Sequence, residues 1–224
     1  MDRPKASRPA RRVIVGVAAA AWLACVAGGF ARLHGYEATP GVAAAPPPLW
    51  PAGAPFERAA TRSTLLVFVH PRCPCTAATL EELKKLLAHG GDRLATHVIC
   101  YTDPELGEAW ARTGNWRTAC ALPGVVVSAD PLGATARAFG ASTSGQVLLY
   151  DRDGALRFAG GITGARGQQG DNAGEAALRS LVLGEGGEGR EGRETGVAGA
   201  REGDGPVRCA VYGCSLVGPE ETGS

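Results

Sequence analysis

LLVFVHPRCPCTAATLEELKKLLAHGG, residues 65–91, contains the two patterns that decide the fold. It opens with a continuous apolar run of strand length, rich in β-branched and aromatic side chains, which predicts a strand buried on both faces. The leucines of LEELKKLL then recur at helical spacing, and the two glycines that follow end the predicted helix. Cys73-Pro74-Cys75 stands between these patterns, so the sequence places a cysteine pair at the turn from a buried strand into a helix.

This position gives the cysteine pair a chemical use. The N-terminus of a helix presents unpaired N–H groups and the positive end of the helix dipole, which stabilise a thiolate and lower its pKa. The thiolate is the form that attacks disulfides. We therefore expect Cys73, just before the helix, to attack, and Cys75, in its first turn, to be more covered and to resolve. The charge of Arg72 would further favour a Cys73 thiolate, although a solvated loop residue is the simpler interpretation.

The next part of the chain predicts further strands and short helices. Strand patterns are ATHVICY at residues 95–101 and GVVVSAD at residues 124–130. Short helices are expected to begin at Asp103-Pro104 and at Asp130-Pro131, because aspartate caps helices and proline suits their first turn.

A hairpin and a final helix complete the predicted domain. GQVLLYDRDGALRFAGG, residues 145–161, has two strand-like arms about Asp153-Gly154, the residues that a tight turn prefers. Asn172, with Glu175 three residues later, predicts the capped start of the last helix. The order of elements implies an α/β domain over residues 63–183, in which helices cover both faces of a central mixed sheet.

The N-terminus predicts a membrane anchor. Basic residues at 3, 5, 8, 11 and 12 precede the uncharged apolar run 13–30, and about 20 such residues span a bilayer core. We expect residues 1–12 to stay in the cytoplasm, residues 13–33 to form one transmembrane helix, and the rest to lie on the periplasmic side of the inner membrane. A cleaved signal peptide and a lipoprotein that uses Cys25 are the alternatives, and neither has a fitting cleavage site; Cys25 is then a small apolar residue of the anchor.

Three further segments differ in composition from the folded domain. Residues 34–62 are rich in proline and alanine and predict a semi-rigid spacer, with a loop that covers the core as the alternative. Residues 184–206 contain almost nothing that can be buried, so this Gly/Glu/Arg tether is expected to be disordered. Residues 207–224 form an apolar tail with two cysteines, and we expect the tail to dock on the domain.

The strand LLVFVH, the cysteine pair at its end, the helix LEELKKLL and the later stretch DPLGATARAFG…VLLYDRDGALRFAGG resemble the thioredoxin-like superfamily. The later stretch is especially similar to membrane-tethered thiol–disulfide proteins of the cytochrome-maturation type. HPRCPC, STSGQVLLYDRDG, GGITGARGQQGDNAG and VYGCSL are similar to a narrower group, the RedB-type proteins. The resemblance implies a thioredoxin fold that faces the periplasm and a role in thiol redox chemistry or metal handling.

The chain departs from the superfamily pattern in two places. Only Pro74 separates the two cysteines, where two residues are usual; the smaller disulfide ring should be strained and more oxidising. The second departure is a missing cis-proline, whose place is taken by Gly145 with Ser144 before it. The superfamily uses this loop to hold substrate peptide beside the cysteines, so Thr143, Ser144 and Gly145 are the expected substrate loop.

The remaining cysteines carry open alternatives. Cys100 ends a buried strand and is expected to be a core residue, whereas Cys120 lies in a predicted loop with no assigned role. Cys209 and Cys214 either form a disulfide with each other, or stay unpaired thiols, or the tail folds back and brings Cys214 to Cys73 as a second resolving cysteine. The tether is long enough to allow the last arrangement.

Two functions follow, one enzymatic and one of binding. The first is a thiol–disulfide oxidoreductase without a cofactor, acting on protein thiols or disulfides. The second is a soft-metal protein in which Cys73, Cys75 and His70 bind copper, since thiolates favour Cu(I). His70 is equally explained as a strand-end histidine with a local hydrogen bond. The formal charge of +1 predicts no nucleic-acid partner.

Overall fold

The structure is a computed structural model that describes residues 8–42, 45–184 and 205–216. The chain divides into two compact units, Met1–Thr39 and Pro40–Ser224. The first unit contains one described helix, α1, which runs from Arg8 to Glu37. Within the described residues, it is the one helix that is long and apolar enough to cross a membrane. The predicted anchor, 13–33, lies inside α1, and the helix continues for four residues into the predicted spacer.

The second unit is built on one mixed sheet of six strands in the order β3-β2-β1-β4-β5-β6. Strands β1, β2 and β3 are parallel to one another, β4 is antiparallel to both β1 and β5, and β6 is parallel to β5. The strands are β1 (Ser63–Val69), β2 (Leu94–Thr102), β3 (Val125–Pro131), β4 (Gln146–Tyr150), β5 (Leu156–Gly160) and β6 (Val207–Arg208). The predicted mixed sheet and the predicted hairpin β4–β5 are confirmed.

Helices cover both faces of this sheet, as predicted. Those of the second unit are α2 (Pro74–Gly90), α3 (Glu108–Ala111), α4 (Gly114–Cys120), α5 (Ala134–Ala138) and α6 (Ala173–Leu183). Side chains of α2, α4 and α6 share one apolar core with one face of β1, β2, β4 and β5, whereas α5 belongs to the core on the opposite face. Every residue of β1 from Thr64 to Val69 is buried, as expected for a central strand with helices on both faces.

Two local predictions need correction, and one short helix was not predicted. Asp103 does not start a helix: its carboxylate accepts a hydrogen bond from the Glu105 N–H in a turn, and α3 begins later, at Glu108. Asp130 belongs to β3, and its buried carboxylate instead accepts the first N–H groups of α5, from Thr135 and Ala136. Helix α4 was not predicted, because GNWRTAC is short and has no apolar period.

Residues 45–62, predicted as part of a spacer, lie against the domain. The Trp50 ring packs edge-on against Phe139 and Tyr150, with ring centroids 5.0 and 5.3 Å apart, and also contacts Phe56. The Tyr150 hydroxyl donates a hydrogen bond to the Pro47 carbonyl at 3.0 Å. The alternative, a loop that covers the core, therefore describes this segment, because its aromatic side chains bury apolar area that a free spacer would expose to water.

The C-terminal segment, residues 205–216, also packs on this unit. It adds β6 to the edge of β5, and the Gly161 N–H then donates to the Ala210 carbonyl at 3.1 Å. Farther on, Thr143 and Ser215 form an antiparallel bridge. The predicted docking of the tail is thus observed for these residues, while most of the predicted tether, residues 185–204, and the end of the tail, residues 217–224, lie outside the described residues.

Candidate cysteine site

The site begins where β1 ends and α2 starts. Cys73 is the N-cap residue of α2, with extended backbone angles of φ −78° and ψ 122°, and Pro74 occupies the first helical turn. Cys73 and Cys75 are both buried, with exposed fractions of 2% and 7%. The prediction that Cys75 is the more covered of the two is therefore wrong, because Cys214 lies against the Cys73 sulfur. Cys73 therefore places its sulfur at the positive end of a helix of 17 residues, as the sequence pattern predicts.

The turn before α2 is held by a short helix from elsewhere in the chain. The Asn115 side-chain amide donates to the carbonyl oxygens of Pro71 and Cys73, at 3.0 and 3.1 Å. The Thr113 hydroxyl donates to the Pro71 carbonyl at 2.7 Å. Helix α4 thus fixes the backbone that carries the cysteine pair, a role that the sequence did not indicate.

Cys214 is the third cysteine of the site. Its Sγ lies 3.2 Å from the Cys73 Sγ, and the sulfur atoms of Cys73, Cys75 and Cys214 all lie within 4.8 Å of one another. The C-terminal segment brings it there because the Ser144 N–H donates to the Cys214 carbonyl at 2.8 Å. All three cysteines are free thiols in this structure. The structure therefore brings Cys214 to the predicted pair, although its role as a resolving cysteine stays a prediction.

The three thiols differ in acidity. Burial opposes ionisation of Cys73, yet the hydrogen bond from Cys214 and the N–H groups of Cys214, Cys75 and Thr76 bring its pKa below the ordinary value. Burial, followed by the negative charge on Cys73, raises the pKa of Cys75. Burial and its hydrogen bond to Cys73 raise the pKa of Cys214 to about 12. Of the three, Cys73 is the one prepared to act as a thiolate.

His70 contacts the same turn but is not a member of the sulfur cluster. Its Nδ1 accepts a hydrogen bond from the Arg72 N–H at 3.2 Å, and its ring stacks on Tyr101 with centroids 5.4 Å apart. Burial, followed by the charge of Arg72, lowers the pKa of His70. Arg72 itself lies over the Trp110 ring, 5.3 Å from its centroid. Within the described residues, the group of side chains that could hold a metal ion has Cys214, rather than His70, as its third member.

The predicted substrate loop lies directly beside the cysteines. β4 runs antiparallel to β1, with Gln146 opposite Phe68, so the residues before β4 lie next to the end of β1. The Gly145 N–H donates to the Phe68 carbonyl at 2.8 Å, a bond that a proline could not make. Gly145 also has a φ of +92°, which suits glycine. No cis peptide bond occurs in the described residues, in agreement with the missing cis-proline.

Ser144 and Thr143 use their side chains to join the loop to other parts of the unit. The Ser144 Oγ accepts a hydrogen bond from the His70 N–H at 2.9 Å and lies 3.0 Å from the Thr76 Oγ1. The Thr143 hydroxyl donates to the Val42 carbonyl at 3.2 Å. Both side chains are buried, so the loop is a fixed part of the site rather than a free surface loop.

The other cysteines lie apart from this cluster. Cys100 is buried at the end of β2, and burial raises its pKa to about 12, as expected of an inert core thiol. Cys120 was predicted to lie in a loop, but it is the last residue of α4, and it is exposed. Cys25 is exposed on α1. Cys209 is half-buried beside Gly160, with a pKa raised by burial. Cys209 is a free thiol, so the Cys209–Cys214 disulfide considered from the sequence is absent here.

Arg166 is a further residue of the site that the sequence pattern did not single out. Its guanidinium donates a hydrogen bond to the Gly213 carbonyl. Its positive charge also lowers the pKa values of Cys75 and Cys214, although burial has the larger and opposite effect on both. Arg166 stands in GGITGARGQQGDNAG, a stretch without period, so composition alone could not show that it meets the cysteines.

The sheet order, the parallel β1–β2–β3 half, the antiparallel β4–β5 hairpin and the cysteine pair at the start of α2 define a thioredoxin-like fold. No family model and no curated protein matches the chain. It is similar to the solved structure of a hypothetical protein from Sinorhizobium meliloti, with 26% identity and a TM-score of 0.50 over 80% of this chain and 93% of that one.

Two further solved structures are also similar to this chain. An uncharacterized conserved protein from Geobacillus kaustophilus is 17% identical, with a TM-score of 0.52 over 80% of this chain and 92% of that one. A protein from Chlorobium tepidum, described as a putative thiol:disulfide interchange protein, is 18% identical, with a TM-score of 0.40 over 56% of this chain and 80% of that one.

Proposed function

We propose that this protein is a membrane-tethered, periplasm-facing thiol–disulfide oxidoreductase in which Cys73 attacks and Cys75 resolves. The observation that carries the proposal is the position of Cys73 at the N-terminus of α2, with its pKa lowered and a second thiol within 4.8 Å. A nucleophile with a lowered pKa beside a resolving thiol with a raised pKa is the arrangement that disulfide exchange needs.

The exchange proceeds in two balanced steps. The Cys73 thiolate attacks one sulfur of a client disulfide, a mixed disulfide forms, and the other client sulfur leaves as a thiolate that takes up a proton. Cys75 then loses its proton and attacks the Cys73 Sγ, so that the Cys73–Cys75 disulfide forms and the second client thiol leaves. The client gains two electrons and the pair loses two, and the reverse sequence oxidises a dithiol client.

Cys214 serves in this proposal as a second resolving cysteine. Its Sγ lies 3.2 Å from the Cys73 Sγ, so it can attack a Cys73–Cys75 disulfide at Cys73 and release Cys75 as a thiol. The exchange conserves electrons, because one disulfide replaces another. Because its own pKa is raised to about 12, Cys214 reacts only after its proton has been removed.

The membrane tether and the narrower RedB-type assignment belong to the same proposal. Helix α1 is supported as an anchor by its length and apolar composition, and the basic residues before its apolar run favour a cytoplasmic N-terminus. The short motifs around the cysteine pair, the hairpin and the tail support the RedB-type resemblance. Protein thiols or disulfides outside the cytoplasm are then the substrates.

Trapping of mixed disulfides tests the oxidoreductase function. A chain with Cys75→Ser and Cys214→Ser should accumulate disulfides between Cys73 and client proteins, because both resolving thiols are gone, and Cys73→Ser should abolish them. Non-reducing gels and peptide mapping of the membrane fraction provide the measurement, with Cys120→Ser as a control that leaves the site intact. Absence of adducts in the chain with Cys75→Ser and Cys214→Ser, together with Cys73 alkylated no faster than Cys75 in the unaltered chain, would rule out this function.

Copper binding is a second candidate function, favoured by one observation. Three thiol sulfurs within 4.8 Å of one another form a soft-ligand cluster of the kind that suits Cu(I). Competition with a chromophoric Cu(I) chelator, under reducing conditions, measures the affinity. Cys214→Ser should weaken binding if the three sulfurs are the ligands, whereas His70→Ala should weaken it if Cys73, Cys75 and His70 are. Binding that neither substitution changes would contradict both ligand sets.

A further inference from the structure

The C-terminal segment lies in the cysteine site as an extended peptide. The Ser144 N–H donates to the Cys214 carbonyl at 2.8 Å, and the Leu216 N–H donates to the Ser142 carbonyl at 2.9 Å. Thr143 and Ser215 form the antiparallel bridge between these two bonds. Residues 142–144 thus hold residues 214–216 by backbone hydrogen bonds, which any extended chain can make.

The residue before Cys214 is restricted by the loop. A Cβ atom placed on Gly213 would lie 1.9 Å from the Ser144 carbonyl oxygen and 3.3 Å from the Thr143 Cγ2. The Gly213 carbonyl also accepts a hydrogen bond from the Arg166 guanidinium. Because the obstruction is backbone, it cannot move aside as a flexible side chain would, so this position accepts glycine and rejects a side chain.

The residue two places after Cys214 enters an apolar pocket. Leu216 has an exposed fraction of 2% and belongs to the core cluster that contains Phe68, Phe139 and Leu148. Burial of a leucine side chain is strongly favourable, whereas a charged side chain would lose its water without a partner. The site therefore contains three consecutive preferences around a cysteine: glycine before it, an extended backbone through it, and an apolar side chain two residues after it.

We infer that residues 210–216, AVYGCSL, are a built-in copy of the substrate segment of this site. The site exchanges disulfides with extended peptides that have glycine directly before the cysteine and an apolar residue two positions after it. Exchange requires the C-terminal segment to leave first. The inference rests on the proposed oxidoreductase function. It adds a substrate class, and it makes the C-terminal segment a competitor of the substrate.

The burial of Cys73 supports the requirement for displacement. Only 2% of Cys73 is exposed while Cys214 lies 3.2 Å from its sulfur, so a client sulfur cannot reach it along the same path. A client with the same pattern makes the hydrogen bonds that the segment gives up. The competition is therefore between two peptides for one set of partners, and its balance decides how much of the protein is open to clients.

The test uses the full chain with three substitutions. Cys75→Ser and Cys214→Ser remove the competing thiols, and Leu216→Asp weakens the binding of the C-terminal segment to the site. The probe is the synthetic peptide AVYGCSL, whose cysteine carries glutathione in a mixed disulfide. The Cys73 thiolate attacks the peptide sulfur, glutathione leaves as its thiolate, and without Cys75 the Cys73–peptide disulfide persists. Mass spectrometry follows its formation, and peptide mapping assigns it to Cys73.

We compare this probe with two peptides that carry valine in place of the glycine, or aspartate in place of the leucine. The unaltered peptide should react about tenfold or more faster than either variant peptide, a ratio that corresponds to a difference of about 1.4 kcal/mol. The same probe should react more slowly with the chain that carries Cys75→Ser and Cys214→Ser alone, because Leu216 then keeps the C-terminal segment bound in the cysteine site. This second variant also serves if the Leu216→Asp chain does not fold.

Equal rates for the three peptides, on either variant, would overturn the inference. Glutathione disulfide without peptide separates this result from a failure of the proposed function. If Cys73 exchanges with glutathione disulfide but does not distinguish the peptides, the substrate class is wrong and the oxidoreductase function stands. If Cys73 exchanges with neither, both are overturned.

Discussion

Cys73 owes its lowered pKa to its neighbours, because burial alone would make its thiol less acidic. The hydrogen bond from Cys214 is the largest of the opposing effects, followed by backbone N–H groups of Cys214, Cys75 and Thr76. Two of these donors, the Cys214 thiol and its N–H, arrive with the C-terminal segment. The reactivity of Cys73 and the position of that segment are therefore linked: a seated segment covers the sulfur while also acidifying it.

The first prediction concerns this acidity. Cys214→Ala removes the thiol that donates to the Cys73 sulfur once Cys73 is a thiolate, so the charged form loses a hydrogen bond and the pKa of Cys73 should rise. Because thiolate forms as the pH passes the pKa, alkylation of Cys73 by iodoacetamide should then begin at higher pH. Mass spectrometry of the alkylated peptide at each pH gives the profile. Cys209→Ser is the control, and a profile that shifts equally in both variants would contradict the assigned donor.

The second prediction concerns the turn that carries Cys73. Asn115→Ala removes the amide that donates to the Pro71 and Cys73 carbonyls. The free energy of unfolding should fall by about 1 kcal/mol, since both carbonyls keep another donor. Urea denaturation measures the change. Arg117→Ala, at an exposed position of the same helix, should leave stability almost unaltered, and a larger loss in that control would exclude the specific role of Asn115.

Single residues of the site were predictable only where the local pattern carries the reason. Cys73 and Cys75 stand between a buried strand and a helix, which is visible in the sequence. Asn115 and Arg166 meet the site across long separations in the chain, and no local pattern reports such contacts. Cys214 is an intermediate case, because the missing cis-proline and the apolar tail together indicate where the tail docks.

At the scale of elements, periodicity decided which predictions held. Strands β1 to β5 and the helices α2 and α6 have strong apolar patterns, and the structure contains each of them near its predicted bounds, whereas β6 was not predicted. Helix α4 has no such pattern and is stabilised by its contacts with α2 and β3. Residues 45–62 lack periodicity too. Their aromatic side chains nevertheless pack against the core, although the high proline content of the segment predicts a spacer.

The third prediction tests that place on the core. Trp50→Ala removes a ring that packs against Phe139 and Tyr150, so the domain should lose about 2 kcal/mol of stability, less than for a fully buried tryptophan. Thermal unfolding followed by circular dichroism measures the loss. Leu49→Ala is the matched control, because that neighbouring side chain is 63% exposed and should cost less than about 0.5 kcal/mol. Equal losses would mean that residues 45–62 do not stabilise the domain through Trp50.

At the scale of the whole chain, the sequence predicts an anchor, a domain and a tail, and the structure contains a long apolar helix, a mixed sheet and a docked segment. The exact limits of these regions stay predictions. Charge asymmetry decides the orientation of an anchor in the membrane, and this asymmetry lies in the sequence around the apolar run.

The fourth prediction addresses this orientation. Alkaline phosphatase fused after residue 183 should be active, because it folds only when exported, and a reporter that needs the cytoplasm should be inactive there. Replacing the basic residues that precede the apolar run with glutamate should reduce the phosphatase activity of the fusion. These residues are Arg3, Lys5, Arg8, Arg11 and Arg12. Activity of the cytoplasmic reporter in the unaltered chain would reverse the assignment.

β6 also protects an edge of the sheet. Without it, β5 would be the outermost strand on that side, and its unpaired N–H and C=O groups would be open to strands of other chains. β6 covers β5 at Phe158 and Ala159. A protease cut between residues 184 and 205 leaves the cysteine pair intact, but the C-terminal segment that contains β6 is then free to dissociate. Cleaved molecules should then aggregate edge to edge. A Cys73–Cys214 disulfide should keep them soluble, because it keeps the C-terminal segment attached.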